Sequence, residues 1–208
     1  MKRLAIYGAG GHAKVVADIA VATSEWEQIN MFDNSWPDRK INGHWDIVGN
    51  EDSFYSSIQN YDGVVVALGD NQLRLNIIHN LINLNAPLVS LIHPTAEISM
   101  FATLMAGCVV SAKAVVNVDV GIGYACIINT AATVDHDCNI DDGVHICPGS
   151  NLAGNVKIGR RSWIGIGAAI KQNITIGSEV IVGAGAVVVN DIQDSITVIG
   201  NPAKNIDR

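Results

Sequence analysis

His136 stands between Asp135 and Asp137, and a second histidine, His145, follows nine residues on. An imidazole titrates near neutrality and can take a proton from an attacking nitrogen or oxygen. A carboxylate beside it can fix its tautomer and favour the imidazolium that forms. The triplet therefore holds the parts of a general base with its orienting acid. On residue types alone, an exposed turn histidine between ordinary turn acids is the simpler reading. Cys147, two residues beyond His145, adds the conceivable alternative of an acyl-cysteine. Zinc chemistry would need at least three protein ligands, and after His93 the chain offers only His136 and His145.

A second group of residues suits phosphate rather than proton transfer. Gly8-Ala-Gly-Gly-His-Ala13 follows the apolar run Arg3-Leu-Ala-Ile-Tyr7 and opens a helical stretch through about Ala22. Glycines at a helix N-terminus let backbone N–H groups approach a phosphate. Asp33 lies twenty-five residues after Gly8, a weak dinucleotide fingerprint when taken alone. The chain is too short for a full dinucleotide fold plus a dehydrogenase substrate domain, so a nucleotide-linked sugar competes with NAD. Between Gly143 and Ser178 there is no Asp or Glu, whereas Lys157, Arg160, Arg161 and Lys171 all occur there. A basic segment in a chain of formal charge −7 suggests a local anionic ligand, although position alone favours a solvated face. The net acidity argues against nucleic acid as the partner.

These residues need a frame, and the sequence repeats with a period of six. Every sixth residue from Ile98 to Val188 is Ile, Leu or Val, without an insertion. Four residues after each of these, up to Val182, stands Ala, Cys, Val, Ser or Ile. Cys108, Cys126 and Cys138 occupy that small apolar place, so they read as core residues rather than disulfides or metal ligands. Six residues make one short strand and one corner, because strand side chains alternate between faces. Three hexads close a triangular coil, and stacked coils bury a continuous aliphatic column.

The first ninety residues follow another pattern. Gln28-Ile-Asn-Met-Phe-Asp33 and Gly63-Val-Val-Val-Ala-Leu-Gly69 are strand-like. Asn71 to Leu84 repeats apolar residues at helical spacing through Leu73, Ile77 and Leu81. Strand and helix in alternation mean a small parallel α/β unit. The expected division is 1–90 for this unit and 91–208 for the prism and its tail. No apolar run reaches the length that spans a bilayer, and no secretory signal is evident, so a cytoplasmic protein without membrane insertion is expected.

A Rossmann-like unit beginning Gly-Ala-Gly-Gly-His-Ala-Lys14 and followed by a hexapeptide prism resembles the sugar O- and N-acetyltransferases of bacterial glycan synthesis. The resemblance spans the chain and includes Ala67–Asn71 with Arg74, His136-Asp137, Ala153–Gly159 and Gly200–Lys204. It implies an α/β Rossmann-like unit followed by a left-handed parallel β-helix, assembled as a homotrimer with active sites between prisms. It implies an acetyl-CoA-dependent enzyme acetylating the 4-amino group of a UDP- or dTDP-linked 4-amino-4,6-dideoxy sugar, with sugar or sialic acid O-acetylation as the alternative.

Residue by residue, the resemblance makes His136 the base and Asp137 its partner, at a place where the family often has Glu. The Gly154 N–H would meet the thioester carbonyl. His145 and the backbone at Ile166 and Ala184 would face acetyl-CoA, with Lys204 or the basic segment at its phosphates. Gly10, Gly11 and His12 would approach the sugar nucleotide's diphosphate, and Asp33 and Asn34 its base, with Asp70, Asn71 and Arg74 nearby. No transition metal or nicotinamide is implied. A zinc-dependent hydratase or a non-catalytic sugar-nucleotide scaffold on the same prism are the readings from other classes.

Overall fold

The computed structural model describes residues 2–206. The chain divides into two compact units, Met1–Pro94 and Thr95–Arg208, so the division falls after Pro94 where residue 90 was expected.

In the first unit, β1 (Arg3–Tyr7) lies inside a sheet, pairing in parallel with β2 (Gln28–Phe32) and with β5 (Gly63–Val66). Leu4 to Tyr7 and Gly63 to Val66 are buried along their whole length. A parallel strand covered on both faces must be apolar throughout, which is why these runs do not alternate. Two short strands absent from the sequence expectation, β3 (Ile41–Asn42) and β4 (Trp45–Gly49), form an antiparallel pair whose β4 joins β2 in parallel. The resulting order is β3-β4-β2-β1-β5. Three α-helices alternate with these strands: α1 (Gly11–Thr23) after β1, α2 (Glu51–Ser57) after β4 and α3 (Asn71–Asn83) after β5. Helix α1 buries Ala13, Val16, Ala17 and Ala20, spaced as one helical face requires.

Strand order reverses at β1, with β2 on one side and β5 on the other. In open α/β sheets that switch point, at the carboxyl ends of the strands, is where ligands bind. The β1–α1 and β5–α3 turns both emerge there. Gly8 makes the first of them possible: its φ is +110°, and a Cβ there would stand 2.9 Å from the Ala67 carbonyl oxygen.

The second unit is a prism of two-residue strands. Glu97–Ile98 pairs with Val115–Val116, which pairs with Thr133–Val134, and so on to Val187–Val188. This makes the first face. Thr103–Leu104 through Thr175–Ile176 make the second, and Val109–Val110 through Ile181–Val182 run along the third. Partners are eighteen residues apart throughout, as three hexads per coil demand (Val115 with Thr133, Gly121 with Asn139, Ile127 with His145). The second residue of each strand points inward. Val110, Ile128, Ile146, Ile164 and Val182 form one such column, each at most 2% exposed. Each such side chain contributes about 1.5–3 kcal/mol of burial.

The corners have a periodicity of their own. Every sixth residue from Gly107 to Gly185 has positive φ, and nine of these residues are not glycine: Lys113, Asp119, Ala125, Ala131, Asp137, Asn155, Arg161, Asn173 and Glu179. Left-handed backbone costs an L residue roughly 1–2 kcal/mol and is least unfavourable for Asn and Asp. The stacked ladder repays this through regular bonds such as Asn155 N–H to His136 O, 2.9 Å.

Candidate active site

His136 and Asp137 lie on the corner between the first and second faces. Asp137 is one of the left-handed corner residues, with φ 60°. That geometry turns its carboxylate back along the chain, and Oδ2 lies 2.7 Å from His136 Nδ1. The shorter Asp therefore spans the distance where the family often carries Glu. The hydrogen bond to Asp137 is the main reason that the His136 pKa is raised above the ordinary histidine value, and the charges of Asp135 and Asp137 add to it. Asp135 works from the other side: its Oδ1 accepts the His136 N–H at 2.8 Å and the Asn117 side-chain amide at 2.9 Å. With Nδ1–H held by the carboxylate, Nε2 is the basic nitrogen.

Gly154 occupies the same corner one coil further, directly against the imidazole. A Cβ on it would lie 2.5 Å from His136 Cε1 and 2.6 Å from Nε2. Only glycine leaves room for the ring at this place. On the next corner line, between the second and third faces, the backbone N–H of Tyr124 and of Ser178 is taken by Asp142 and Asp194, at 2.8 Å each. Among the described residues no acceptor meets the Gly154 N–H.

His145 sits elsewhere. It is the outward residue of its strand on the third face, across the triangle from the His136 corner, and is 6% exposed. Its Nε2 lies 3.0 Å from the Asn129 amide nitrogen, and its ring meets Trp163 at a centroid distance of 4.3 Å. Since an amide nitrogen can only donate, His145 Nε2 is the acceptor at that contact. Within one prism, then, His136, Asp137 and Gly154 come together and His145 does not join them.

Ile166 and Ala184 are exposed on the corner between the third and first faces. The Ile166 carbonyl accepts the Gly185 N–H at 2.8 Å, so among the described residues its N–H and both backbone groups of Ala184 are the ones left open. Lys204 is exposed in the terminal strand Lys204–Asn205. The acid-free segment of the sequence is not acid-free in space. The eighteen-residue register sets Arg160 against Asp142 at 3.6 Å and Arg161 against Glu179. Lys157 and Lys171 have no carboxylate partner among the described residues.

In the first unit, Gly10 and Gly11 begin α1, and a Cβ on either would meet nothing within 4 Å. No side chain caps this helix, whereas Asn50 caps α2 and Asp70 caps α3 through the Leu73 N–H at 2.7 Å. Asp70, expected near the sugar nucleotide, is thus committed to its helix. His12, in the first turn, has its pKa pushed down to about 4 by burial and by the nearby Arg74 charge, so it is neutral at pH 7.

Arg74 is fully buried and supports the β5–α3 turn through Leu68 O (3.0 Å), Gly69 O (3.3 Å) and Asn71 Oδ1 (2.8 Å). Asp33 gives one oxygen to the Ala9 N–H and the other to the Ser35 N–H, at 2.8 and 2.9 Å. Burial by itself would raise its pKa; these bonds and the charge of Arg39 outweigh that and hold it below the usual carboxylate value. Asn34 is tied to Glu51 by two hydrogen bonds. Arg39 and Asn42, which no motif picks out, bond the Ala9 and Gly10 carbonyls.

Among the described residues no three His, Cys, Asp or Glu side chains gather as a metal-ligating group. All four cysteines are buried free thiols, and burial pushes the Cys147 pKa up to about 12. No helix among the described residues is long and apolar enough to cross a membrane.

Residues 3–81 match the family of PglD N-terminal domains, and residues 155–190 match the bacterial transferase hexapeptide family of six repeats. The acetyltransferase domain of PglB from Neisseria gonorrhoeae, solved in complex with acetyl coenzyme A, is 43% identical; the match covers 99% of both chains with a TM-score of 0.95. PerB from Caulobacter crescentus, solved in complex with CoA and GDP-perosamine, is 38% identical, with 100% of this chain and 98% of that one covered and a TM-score of 0.93. WeeI from Acinetobacter baumannii matches at 24% identity over 99% of this chain and 100% of its own, TM-score 0.86, which speaks to the fold alone. The expected architecture holds: a Rossmann-like α/β unit followed by a left-handed parallel β-helix of hexapeptide repeats.

Proposed function

The chain belongs to the hexapeptide-repeat sugar N-acetyltransferase family, acetyl-CoA-dependent enzymes, and from that premise we propose that it acetylates the 4-amino group of a nucleotide-linked 4-amino-4,6-dideoxy sugar. One observation carries the mechanism: the His136 ring lies on Gly154 with Nδ1 held by Asp137 and Nε2 available as a base. The neutral sugar amine attacks the thioester carbonyl, and Nε2 takes the proton that the nitrogen sheds. The Gly154 N–H meets the oxyanion of the tetrahedral intermediate, a role typically worth about 3 kcal/mol. Collapse breaks the C–S bond, and the imidazolium returns the proton to the departing thiolate. No covalent enzyme intermediate is required, and a thiol with a pKa near 12 is a poor candidate for one.

The open backbone groups at Ile166 and Ala184 suit the pantetheine arm, and Lys157, Lys171 and Lys204 carry charge available to its phosphates. Gly10, Gly11 and neutral His12 suit the diphosphate of the acceptor. UDP or dTDP is the proposed carrier; the 38%-identical relative solved with GDP-perosamine makes GDP the second reading. Because His145 faces away from the His136 corner, a site using both draws them from two protomers, which fits a trimer of prisms. Acetyl-CoA as donor suits a cytoplasmic setting.

Thiol release from acetyl-CoA, measured with UDP-, dTDP- and GDP-linked 4-amino sugars, tests the proposal. Turnover with one of them, cut to a small residual rate in H136A, is the expected result. Release no faster than hydrolysis with all of them would overturn the N-acetylation reading. A sedimentation mass other than three chains would remove the trimer.

A further inference from the structure

The carbonyl side of the glycine-rich turn is held by two residues outside it. Arg39 Nη1 donates to the Ala9 oxygen at 2.8 Å, and its Nε donates to the Ile41 oxygen at 3.2 Å. The remaining guanidinium nitrogen donates to Asn42 Oδ1. Asn42, 0% exposed, turns its amide toward the Gly10 oxygen at 3.1 Å. Asp33 completes the bracket by accepting the Ala9 N–H at 2.8 Å. In a trans peptide the C=O and the following N–H point in opposite directions. Pinning the Ala9 and Gly10 oxygens on one side therefore aims the Gly10 and Gly11 N–H groups to the other. Neither N–H has an acceptor among the described residues, and the space beside both glycines is open.

We propose that Arg39 and Asn42 are positioning residues for the nucleoside diphosphate: they set the two peptide planes whose N–H groups receive it. This rests on the reading that the first unit binds a sugar nucleotide. The clamp acts on the diphosphate and not on the base or ribose, so it contributes to nucleoside diphosphate affinity and leaves nucleoside affinity alone. Asn42 lies in β3 and Arg39 two residues before that strand, beside the strand pair that the parallel α/β pattern does not require.

The test uses the full chain and equilibrium binding of UDP, dTDP and GDP beside uridine, thymidine and guanosine. R39M keeps the alkyl stem without donors. N42D keeps the acceptor for Arg39 and sets a carboxylate oxygen against the Gly10 carbonyl. Both should weaken the preferred diphosphate by about tenfold or more, R39M through the lost charge-assisted bond to the Ala9 oxygen and N42D through the lost amide donor and the repulsion at the Gly10 oxygen. Nucleoside binding, kcat and the KM for acetyl-CoA should hold while the KM for the sugar nucleotide rises. R39K should restore only part of the loss, since the three acceptors are met by three separate guanidinium nitrogens and a compact ammonium cannot reach all of them at once.

Unchanged diphosphate affinity, or an equal loss for nucleoside and diphosphate, would overturn the clamp. Full recovery in R39K would also overturn it, in favour of a simple charge effect. Should R39M not fold, R39K and N42D carry the same comparison. If the unaltered protein binds none of the three diphosphates, the nucleotide reading fails first, and that outcome is distinct from a clamp failure.

Discussion

Gly154→Ala isolates the placement of the base from everything else in the prism. The backbone at Gly154 is not left-handed, so alanine fits it without strain, and the N–H remains. The new methyl would stand 2.5–2.6 Å from His136 Cε1 and Nε2, against an ordinary carbon contact of about 3.5–4.0 Å. The ring must withdraw by about 1 Å, and a displacement of that size can cost about a hundredfold in rate, or about 2.7 kcal/mol of barrier. Stability should hold or rise slightly, because replacing glycine removes about 0.4–1 kcal/mol of unfolded-chain freedom. The assay is steady-state thiol release with a thermal melt on the same samples. Gly121→Ala is the control, since its Cβ would meet only Thr103 Oγ1 at 3.8 Å. The decisive measurement is the double variant G154A/H136A. If Gly154 acts through the imidazole, the double variant turns over no more slowly than H136A alone. A further hundredfold loss on that background, or full turnover in G154A itself, would refute the reasoning.

Three other outcomes are expected. The base works deprotonated and its pKa is raised chiefly by Asp137, so the acid limb of kcat/KM should lie above the ordinary histidine value of about 6.5; D137N should move that limb to lower pH and lower the plateau, and a limb that stays put would count against the pair. Cys147→Ala should retain most turnover and lose about 1 kcal/mol or less of stability in urea, whereas loss of turnover with the fold intact would revive an acyl-cysteine. His12 is depressed to about 4, so below about pH 6.5 the unfolded chain binds a proton that the folded one refuses. Stability should fall by up to about 3 kcal/mol between pH 6.5 and 4. H12N should flatten that slope in urea titrations, and parallel slopes for the two proteins would contradict the assignment.

The prism was legible because a single inward residue per hexad carries its packing, and that residue had to be Ile, Leu or Val at every step. Spatial charge was not legible in the same way. Arg160 and Arg161 looked like free cations because no acid stands among their neighbours in sequence, yet their partners lie eighteen residues away, outside the segment on either side. His136 with Asp137 could be picked out as a pair, but not the glycine beneath them as the reason the ring fits. In the first unit the parallel strands stood out through continuous burial. Strands β3 and β4 did not, being short and half exposed, and Arg39 and Asn42 were missed with them. Asp33 and Asp70 were visible as turn acids; only geometry shows their oxygens committed to backbone N–H groups.

The left-handed corner has a consequence for how such a site arises. The backbone that turns Asp137 toward His136 is imposed at every sixth residue by the coil itself, so an acid placed there is already aimed. Val118-Asp119, one coil earlier on the same corner, has the acid and the same φ, 59°. What it lacks is the imidazole, whose place Val118 takes, and vacancy beneath: eighteen residues on stands His136 rather than glycine. Evolution of a dyad on this scaffold is thus less a matter of inventing geometry than of clearing one socket among many identical ones. Along this corner the chain has cleared the one at Gly154.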